Sequence, residues 1–271
     1  MASKYTGMAL HKVKLFGYSF LAAADLPAVA EAIGSATLAQ QKDLLVVTPN
    51  AYTLQVQYQR RYRDIQAYTR QADFVLPDGM PVVWLSKLKH KHPIPRRLPG
   101  SELFPLIWHY LKNRRLKATL ILPSQVAADA LTQDYPGGCN TLVPDFFDAG
   151  DDAYITRIAR EALDLVAANQ SLFLFIGLGD PKQILISRKI HLLRQERVNS
   201  TKITTLLLGA SFQFYLGMAR RAPAFFRKSG LEWFYRLCKE PRRLWKRYTI
   251  DNVKFLFIAA RELFAKKSDD C

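Results

Sequence analysis

The sequence predicts an α/β fold, with a doubly wound and mostly parallel sheet followed by a basic helical segment. Short apolar runs alternate along the chain with helical patterns, which is typical of repeated strand–helix units. One of these runs, LFLFI at residues 172–176, is apolar at every position, as expected of a strand covered on both faces. Of the 271 residues, 49% are hydrophobic, so the chain can bury a sizeable core.

The predicted strands and helices alternate in order along the chain. Six strands are predicted, at Val13–Phe20, Asp43–Val47, Phe74–Leu76, Ala118–Leu122, Leu172–Ile176 and Ile203–Leu208. Between residues 151 and 170 apolar residues repeat at i, i+3, i+4 and i+7, which predicts a helix with Asp151 or Asp152 as its N-cap. Another helix is predicted to begin at Pro181, because proline suits the first helical turn. This alternation indicates a Rossmann-like, doubly wound arrangement.

Short polar segments follow the predicted strands. They are TPN (48–50), PDG (77–79), LPS (122–124), GLGDPKQ (177–183) and GAS (209–211). In an open parallel sheet the loops that follow the strands gather at one edge, where ligands bind. The sequence therefore predicts a binding site built from these loops.

The segment GLGDPKQ has the composition of a phosphate-binding turn. Gly177 and Gly179 allow backbone N–H groups to approach an anion, and Lys182 adds charge beside a helix N-terminus. A dinucleotide-binding GxGxxG would require glycine at position 182, and no GxxxxGKS/T segment occurs. A tight turn without a ligand explains the glycines equally well, so this segment alone leaves both interpretations open.

Asp78 follows a predicted strand directly and stands beside Gly79. A carboxylate there serves as a general base or as the acceptor of an Asx-turn or helix cap, and the local pattern alone favours the second. TPN offers a hydroxyl and an amide at another strand end, again without deciding their role. The acidic residues at positions 145, 148, 151 and 152 are interpreted as a solvated loop leading into a helix, not as a metal site.

The charge of the chain is strongly positive and unevenly distributed. A formal charge of +16 implies an acidic partner, which is nucleic acid, an anionic membrane or a phosphorylated substrate. Residues 219–271 carry 14 Lys/Arg against 6 Asp/Glu, so about a fifth of the chain carries half of the net positive charge. The strand–helix alternation stops at the same point. We therefore divide the chain into an α/β core, residues 1–218, and a C-terminal appendage, residues 219–271.

Other classes of protein are disfavoured by composition. The three cysteines, at positions 139, 238 and 271, show no pairing pattern, which fits a reducing compartment and no structural zinc. No uncharged apolar run reaches 18 residues, so we expect no membrane-spanning segment. The N-terminal residues lack the apolar core and cleavage site of a signal peptide.

The appendage combines basic and aromatic residues at helical spacing. Its first apolar face consists of Leu231, Phe234, Tyr235 and Cys238. After a new helix at Pro241, apolar residues continue at Leu244, Tyr248, Phe255, Leu256, Ala259 and Leu263. A basic amphipathic helix with a flanking tryptophan is typical of proteins that bind a membrane surface. A helical hairpin packed on the core has the same periodicity, so spacing alone does not separate the two interpretations.

Together the loop segments resemble the WecG/TagA/CpsF glycosyltransferase family. The matching segments are TPNA, ADFVLPDGMPVVW, RRLPGSELFP, GLGDPKQ, LLGASFQF and RRAPAFFRKSGLEWFYRLCKEPRRLWKRY. The resemblance covers roughly residues 13–255, and the last segment is highly specific. The resemblance implies an inverting transferase with no metal or other cofactor. It implies transfer of a hexose, N-acetylmannosamine or its uronic acid from a UDP-sugar to a polyprenyl-pyrophosphate-linked saccharide, in exopolysaccharide or cell-envelope synthesis, by a peripheral protein of the cytoplasmic membrane face.

The resemblance also assigns roles to residues of the core. It implies that Asp78 is the catalytic base and that Thr48 and Asn50 lie near the reacting sugars. Arg97 matches the family's pocket arginine, and Gln183 is the expected donor-site glutamine. The loop that begins at Arg97 is completed by Gly100 and Ser101. In the appendage, the basic positions expected to cover the active site are Arg236, Arg243 and Arg247.

Three positions depart from the family's pattern. Tyr52, Ile184 and Gln213 each stand where the family usually has an acidic residue. These substitutions leave the reaction class intact and leave the identity of the donor sugar open. A lipid-pyrophosphate acceptor favours the membrane interpretation of the appendage, because arginine presents a fork suited to phosphate oxygens.

Two rival classes of function lack their sequence signatures in this chain. The charge and interleaved aromatics suggest a nucleic-acid-binding protein, but no RNP, KH, helix-turn-helix or zinc-finger segment occurs. An NAD-dependent oxidoreductase would require the missing GxGxxG and a ribose-binding acid. We therefore expect a UDP-sugar, a lipid-linked acceptor and an anionic membrane as partners, and no nucleic acid.

Overall fold

The computed structural model describes residues 11–196, 201–219, 222–223, 225–226, 232–239, 241–246 and 252–265; the side chains of residues 232, 233, 236, 243, 244, 246 and 252 lie outside this description. In chain order the described strands are β1 (Lys12–Leu15), β2 (Tyr18–Leu21), β3 (Leu44–Val47), β4 (Phe74–Val75), β5 (Ala118–Ile121), β6 (Cys139–Leu142), β7 (Phe173–Ile176) and β8 (Thr204–Leu207). They form one sheet in the order β1-β2-β4-β3-β8-β7-β5-β6. Only the β1–β2 pair is antiparallel among these strands, so the predicted mostly parallel sheet is confirmed.

Helices cover both faces of this sheet. In the described part of the chain they are α1 (Leu26–Ala39), α2 (Ala51–Gln57), α3 (Arg63–Arg70), α4 (Met80–Lys89), α5 (Gly100–Arg114), α6 (Gln125–Asp134), α7 (Asp152–Asn169), α8 (Lys182–Gln195), α9 (Ser211–Tyr215), α10 (Glu232–Lys239), α11 (Pro241–Lys246) and α12 (Asn252–Phe264). Helices α1, α5, α6 and α9 pack in one apolar core, whereas α2, α3, α4, α7 and α8 pack in the other. The sheet is therefore doubly wound, as predicted.

Local sequence explains where these elements begin. The Asp151 carboxylate accepts a hydrogen bond from the backbone N–H of Tyr154 at 2.9 Å, so Asp151 is the N-cap of α7. The buried positions of α7 repeat at helical spacing and face the sheet. Helix α8 begins at Lys182 with Pro181 as its N-cap, one residue from the predicted start. Every residue of β7 is buried, as the run LFLFI predicted.

The N-terminal strand prediction is wrong. The predicted single strand Val13–Phe20 is an antiparallel hairpin formed by β1 and β2. Its turn lies at Phe16 and Gly17, where φ values of 55° and 77° reverse the chain. The guanidinium of Arg70 donates two hydrogen bonds to the carbonyl of Phe16, at 3.1 and 2.8 Å, and so fixes the turn.

The sequence prediction also missed a strand. Strand β6 pairs with β5 alone, at the edge of the sheet, and only its first residue is fully buried. The sequence CNTL therefore lacks the apolar run that marked the other strands. The segment after β8, expected to be a loop, contains the short helix α9.

The structure describes three helices in the appendage, α10, α11 and α12, and α11 begins at Pro241 as predicted. Helix α12 packs against the α/β core. Its Phe255 side chain is buried, and the centroid of that ring lies 5.9 Å from the ring centroid of Phe16. Lys89 of α4 donates to the Glu262 backbone carbonyl at 2.5 Å and to its carboxylate at 2.8 Å. None of the helices in the described part of the chain is both long enough and apolar enough to cross a membrane.

Candidate active site

The candidate site lies at the carboxyl edge of the central strands. The last residues of three neighbouring strands are paired: Leu207 of β8 lies between Val47 of β3 and Ile176 of β7. The loops that follow these strands therefore begin at the same edge of the sheet. The chain leaves β3 and β7 toward one face of the sheet and leaves β8 toward the other. Neighbouring strands that wind in opposite directions leave a crevice between their loops, and ligands of doubly wound folds bind there.

The TPN segment forms the first wall of this crevice. The Thr48 hydroxyl donates to the carbonyl of Leu207 at 3.2 Å and so ties β3 to β8 at their ends. Asn50 is the N-cap of α2, because its side-chain oxygen accepts from the N–H groups of Tyr52 and Thr53 at 3.0 and 3.1 Å. Asn50 therefore holds the start of α2 as well as lying at the predicted site.

The PDG segment lies directly beside TPN. The N–H of Asp78 donates to the carbonyl of Pro49 at 3.2 Å, and Asp78 itself is half-buried. Gly79 has a φ of 136°, a conformation that favours glycine, and a Cβ built on it would lie 3.6 Å from the Cβ of Asn50. The N-cap of α4 is Gly79 and not Asp78. The structure thus brings the predicted base beside the predicted sugar-binding residues.

The segment from Arg97 to Ser101 closes the same side of the crevice. The N–H of Leu98 donates to the carbonyl of Pro77 at 2.7 Å, which places the half-buried Arg97 next to the PDG segment. Helix α5 begins at Gly100, where an added Cβ would lie 2.9 Å from the Ser211 hydroxyl oxygen and 3.2 Å from that of Thr48. The N-terminus of α5 therefore reaches the ends of β3 and β8, with Ser101 in its first turn.

The glycines of GLGDPKQ have different roles. A Cβ on Gly177 would lie 2.5 Å from the ring of Phe212, so this glycine is required for packing between the loops after β7 and β8. Gly179 is exposed, and a Cβ on it would meet no atom within 4 Å, which leaves space for a ligand. The ammonium of Lys182 lies 4.5 and 4.4 Å from the ring centroids of Phe146 and Phe147, toward the loop after β6.

Gln183 belongs to a hydrogen-bond network that the sequence interpretation missed. Its side-chain oxygen accepts from the N–H of Gly209 at 3.0 Å, and its amide nitrogen donates to the Asp180 carboxylate at 2.7 Å. The other oxygen of that carboxylate accepts from the Thr53 hydroxyl at 2.6 Å. A sequence signal for part of it existed, since Asp180 and Gln183 are polar residues three positions apart at the start of a predicted helix.

The remaining predicted residues lie in several places. Ile184 is a buried residue of α8 and packs in the apolar core on that face of the sheet. Gln213 is half-buried in α9, and Tyr52 is half-buried in the first turn of α2. Arg236 and Arg243 lie in α10 and α11 with side chains outside the described atoms, and residue 247 lies outside the described residues. Their covering of the site stays a prediction.

The acidic loop before α7 is solvated, as predicted. Asp145 and Asp148 are exposed, Asp148 accepts from the N–H of Gly150 at 2.7 Å, and Asp151 caps the helix. Among the residues that the structure describes, no group of three or more His, Cys, Asp or Glu side chains is arranged to hold a metal ion.

A polar crevice between strands of opposite winding is typical of α/β enzymes that bind their ligand at the carboxyl edge of the sheet. Within that class, the chain belongs to the WecG/TagA/CpsF family of glycosyl transferases, whose model matches residues 13–269. This match confirms the predicted family resemblance and the prediction that the chain is a transferase enzyme.

Individual relatives share one name. The chain is 32% identical over 216 residues to the N-acetylglucosaminyldiphosphoundecaprenol N-acetyl-beta-D-mannosaminyltransferase of Bacillus spizizenii W23. The aligned region covers 78% of this chain and 76% of the relative. The protein of the same name from Bacillus subtilis 168 is 28% identical over 190 residues, and the aligned region covers 68% of each chain. The one from Staphylococcus aureus MW2 is 25% identical over 228 residues, and the aligned region covers 83% of each chain.

Proposed function

We propose that the chain transfers a sugar from a UDP-sugar to a polyprenyl-pyrophosphate-linked saccharide, with inversion at the anomeric carbon. The observation that carries this proposal is the junction of the TPN, PDG and Arg97 segments at the carboxyl edge of the sheet. Backbone hydrogen bonds join PDG to TPN and the Arg97 segment to PDG, so a carboxylate, a hydroxyl and a guanidinium-bearing residue share one crevice. The relatives are named for transfer to a diphosphoundecaprenol-linked sugar, which fits an acceptor of this class.

In this mechanism Asp78 acts as the general base. The acceptor hydroxyl oxygen forms a bond to the anomeric carbon of the donor while the bond from that carbon to the UDP oxygen breaks. The Asp78 carboxylate takes the hydroxyl proton, and the electron pair of the broken bond leaves with UDP. A single displacement from the face opposite UDP inverts the configuration.

The departing UDP is stabilised by cations and backbone donors. Arg97 lies beside the PDG segment, and the N-termini of α5 and α8 open at the carboxyl edge, where helix dipoles favour an anion. Gly179 leaves space for a phosphate beside α8. We assign the pyrophosphate of the acceptor to the appendage arginines, as the family resemblance implies. No metal or other cofactor enters this scheme.

We further propose that the chain works as a peripheral protein on an anionic membrane, at the cytoplasmic face. Helix α12 carries a second apolar face, opposite the one that packs on the core. Its members are Val253, Leu256, Phe257, Ala260 and Phe264, which repeat at i, i+3, i+4, i+7 and i+11 and are exposed. Lys254 and Arg261 flank this face, and the neighbouring α4 exposes Trp84 and Leu88. Aromatic and aliphatic side chains bordered by basic residues fit a lipid surface with anionic headgroups.

A product analysis tests the proposal. Full-length protein is incubated with UDP-hexoses and UDP-N-acetylhexosamines and a synthetic polyprenyl-pyrophosphoryl sugar, and the product is identified together with its anomeric configuration. Transfer with inversion from at least one UDP-sugar is expected. Thermal shifts with UDP-sugars, NAD and oligonucleotides separate the rival classes, because a bound ligand raises the melting temperature. Stabilisation by oligonucleotides alone, without transfer, would refute the proposal.

A further inference from the structure

Three loops of the candidate site, those after β3, β7 and β8, are joined by hydrogen bonds of polar side chains. The buried side-chain amide of Gln183 lies at the centre of the part that involves Asp180. Gln183 is only 7% exposed, yet both ends of its amide have partners, the N–H of Gly209 and the carboxylate of Asp180. Thr53, 8% exposed, donates to the second oxygen of that carboxylate. These three contacts run from α2 through the loop after β7 to the loop after β8.

We propose that Asp180 is a positioning residue of the sugar-transfer site, acting through Gln183 on the loop that contains Gly209. This inference rests on the proposed function, because it assigns Asp180 a part in the same crevice. A side-chain amide can rotate by half a turn, which exchanges its oxygen and its nitrogen. The Asp180 carboxylate only accepts hydrogen bonds, so it requires the nitrogen of Gln183 on its own side and leaves the oxygen for Gly209.

The consequence reaches both walls of the crevice. Gly209 has a φ of 54° and is followed by α9, whose first residue, Ser211, lies close to Gly100 at the N-terminus of α5. On the other side, Thr53 belongs to the first turn of α2, which Asn50 caps. Because one carboxylate oxygen faces each side, Asp180 sets the distance between the TPN wall and the loop after β8.

The charge of Asp180 strengthens both of its contacts. The Asp180 carboxylate is a charged acceptor, and hydrogen bonds to a charged acceptor are about twice as strong as those between neutral groups. Asp180 and Gln183 therefore join the loops after β3, β7 and β8, in addition to the contact by which Thr48 ties β3 to β8.

The test compares Asp180→Ala with Asp180→Asn in the full-length chain. In the alanine variant we expect kcat for sugar transfer to fall about 10- to 100-fold, because a small misplacement of site groups costs this much. We expect the KM for the lipid-linked acceptor to change less than about threefold, since the acceptor contacts remain. Asparagine keeps an acceptor for Gln183 and a partner for the Thr53 hydroxyl, so it should restore most of the turnover.

A second measurement needs no substrate. Hydrogen exchange of the Gly209 amide should accelerate in Asp180→Ala and stay close to wild type in Asp180→Asn, because only the alanine variant frees the Gln183 amide to rotate. Thr53→Val, which removes one donor to Asp180 without changing shape, should give a smaller change in the same direction. Asp148→Asn, at an exposed carboxylate in the neighbouring loop, is the matched control and should change neither readout.

Each outcome decides the inference. Unchanged hydrogen exchange of the Gly209 amide in Asp180→Ala would overturn the positioning role. Turnover of Asp180→Asn as low as that of Asp180→Ala would also overturn it, because the charge of Asp180 and not its hydrogen bonds would then matter. If the alanine variant does not fold, Thr53→Val and Asp180→Asn supply the same comparison. If wild-type protein transfers no sugar, the proposed function fails, while the exchange measurement still decides whether Asp180 positions the loop.

Discussion

Single atoms determine how closely the loops of the candidate site approach one another. Gly100 is the sharpest case, because a Cβ there would lie 2.9 Å from the Ser211 hydroxyl oxygen and 3.2 Å from that of Thr48. We expect Gly100→Ala to lower the free energy of unfolding by about 1–3 kcal/mol, as overpacking does. Chemical denaturation measures this change. Gly179→Ala, where a Cβ meets no atom within 4 Å, should show no steric loss of stability and serves as the control.

The proposed base is a prediction of the same scale. Asp78→Asn should lower kcat by about 10²–10⁴-fold, because a positioned general base contributes this much. Its melting temperature should stay near that of wild type, since the backbone contact between Asp78 and Pro49 is retained. Steady-state transfer assays and thermal unfolding measure the two effects. Turnover within about threefold of wild type would remove Asp78 from this role.

At the scale of elements, one carboxylate ties helix α9 to two neighbouring helices. Asp134, at the end of α6, accepts from the indole of Trp108 at 2.6 Å, from Lys112 at 2.9 Å and from the hydroxyl of Tyr215 at 2.8 Å. Partial burial acts to raise the pKa of Asp134, but these hydrogen bonds and the charge of Lys112 together hold that pKa below its usual value. The contacts tie α9 to α5 and α6 and so hold the loop after β8 against the sheet.

Asp134→Ala should therefore destabilise the fold by about 1–3 kcal/mol at neutral pH, because the three donors lose their acceptor. A carboxyl whose pKa is depressed by folding contributes stability above its unfolded pKa and loses it as the pH falls through the folded value. The difference between wild type and variant should thus shrink on acidification below the ordinary value of 3.8. Denaturant titrations across this pH range measure it. Asp129→Ala, at an exposed position of the same helix, should show no such pH-dependent gap.

At the scale of the whole molecule, we expect the net positive charge and the exposed apolar face of α12 to act together in membrane binding. The apolar face of α12 includes Phe257, 74% exposed, and Phe264, 89% exposed. Binding to vesicles with anionic lipid should weaken as salt rises, since exposed charges are screened over about 10 Å at 0.1 M. The double variant Phe257→Glu with Phe264→Glu should lose most of this binding in a sedimentation assay. Leu38→Glu, at an exposed leucine on the opposite face of the sheet, is the control, and equal loss there would contradict the membrane surface.

The reaction as a whole should not depend on a divalent cation. The proposed mechanism assigns the charge of departing UDP to arginine and to helix N-termini, which chelators do not remove. Transfer should therefore continue at its full rate after dialysis against EDTA. Loss of turnover that Mg²⁺ or Mn²⁺ restores would require a different account of the leaving group.

The sequence by itself determined the class of fold and the chemistry carried by the loops. The all-apolar run of β7, the capped amphipathic helix α7 and the polar segments after the strands are local patterns, and local patterns report secondary structure and burial. The family motifs were equally readable, because residues such as Asp78 and Gln183 stand in short segments of characteristic order. These predictions needed no knowledge of which elements lie side by side.

Only the tertiary structure decided which of these residues act on one another. Thr53 and Asp180 are 127 positions apart and meet because β3 and β7 flank β8 in the sheet. The sequence left a phosphate-binding role open for Gly177, whereas the structure shows the Phe212 ring of another loop packed against it. Helix α12 carries two apolar faces, and the core covers one of them. Strand order and helix packing are collective properties of the fold, and no local periodicity encodes such a contact between distant segments.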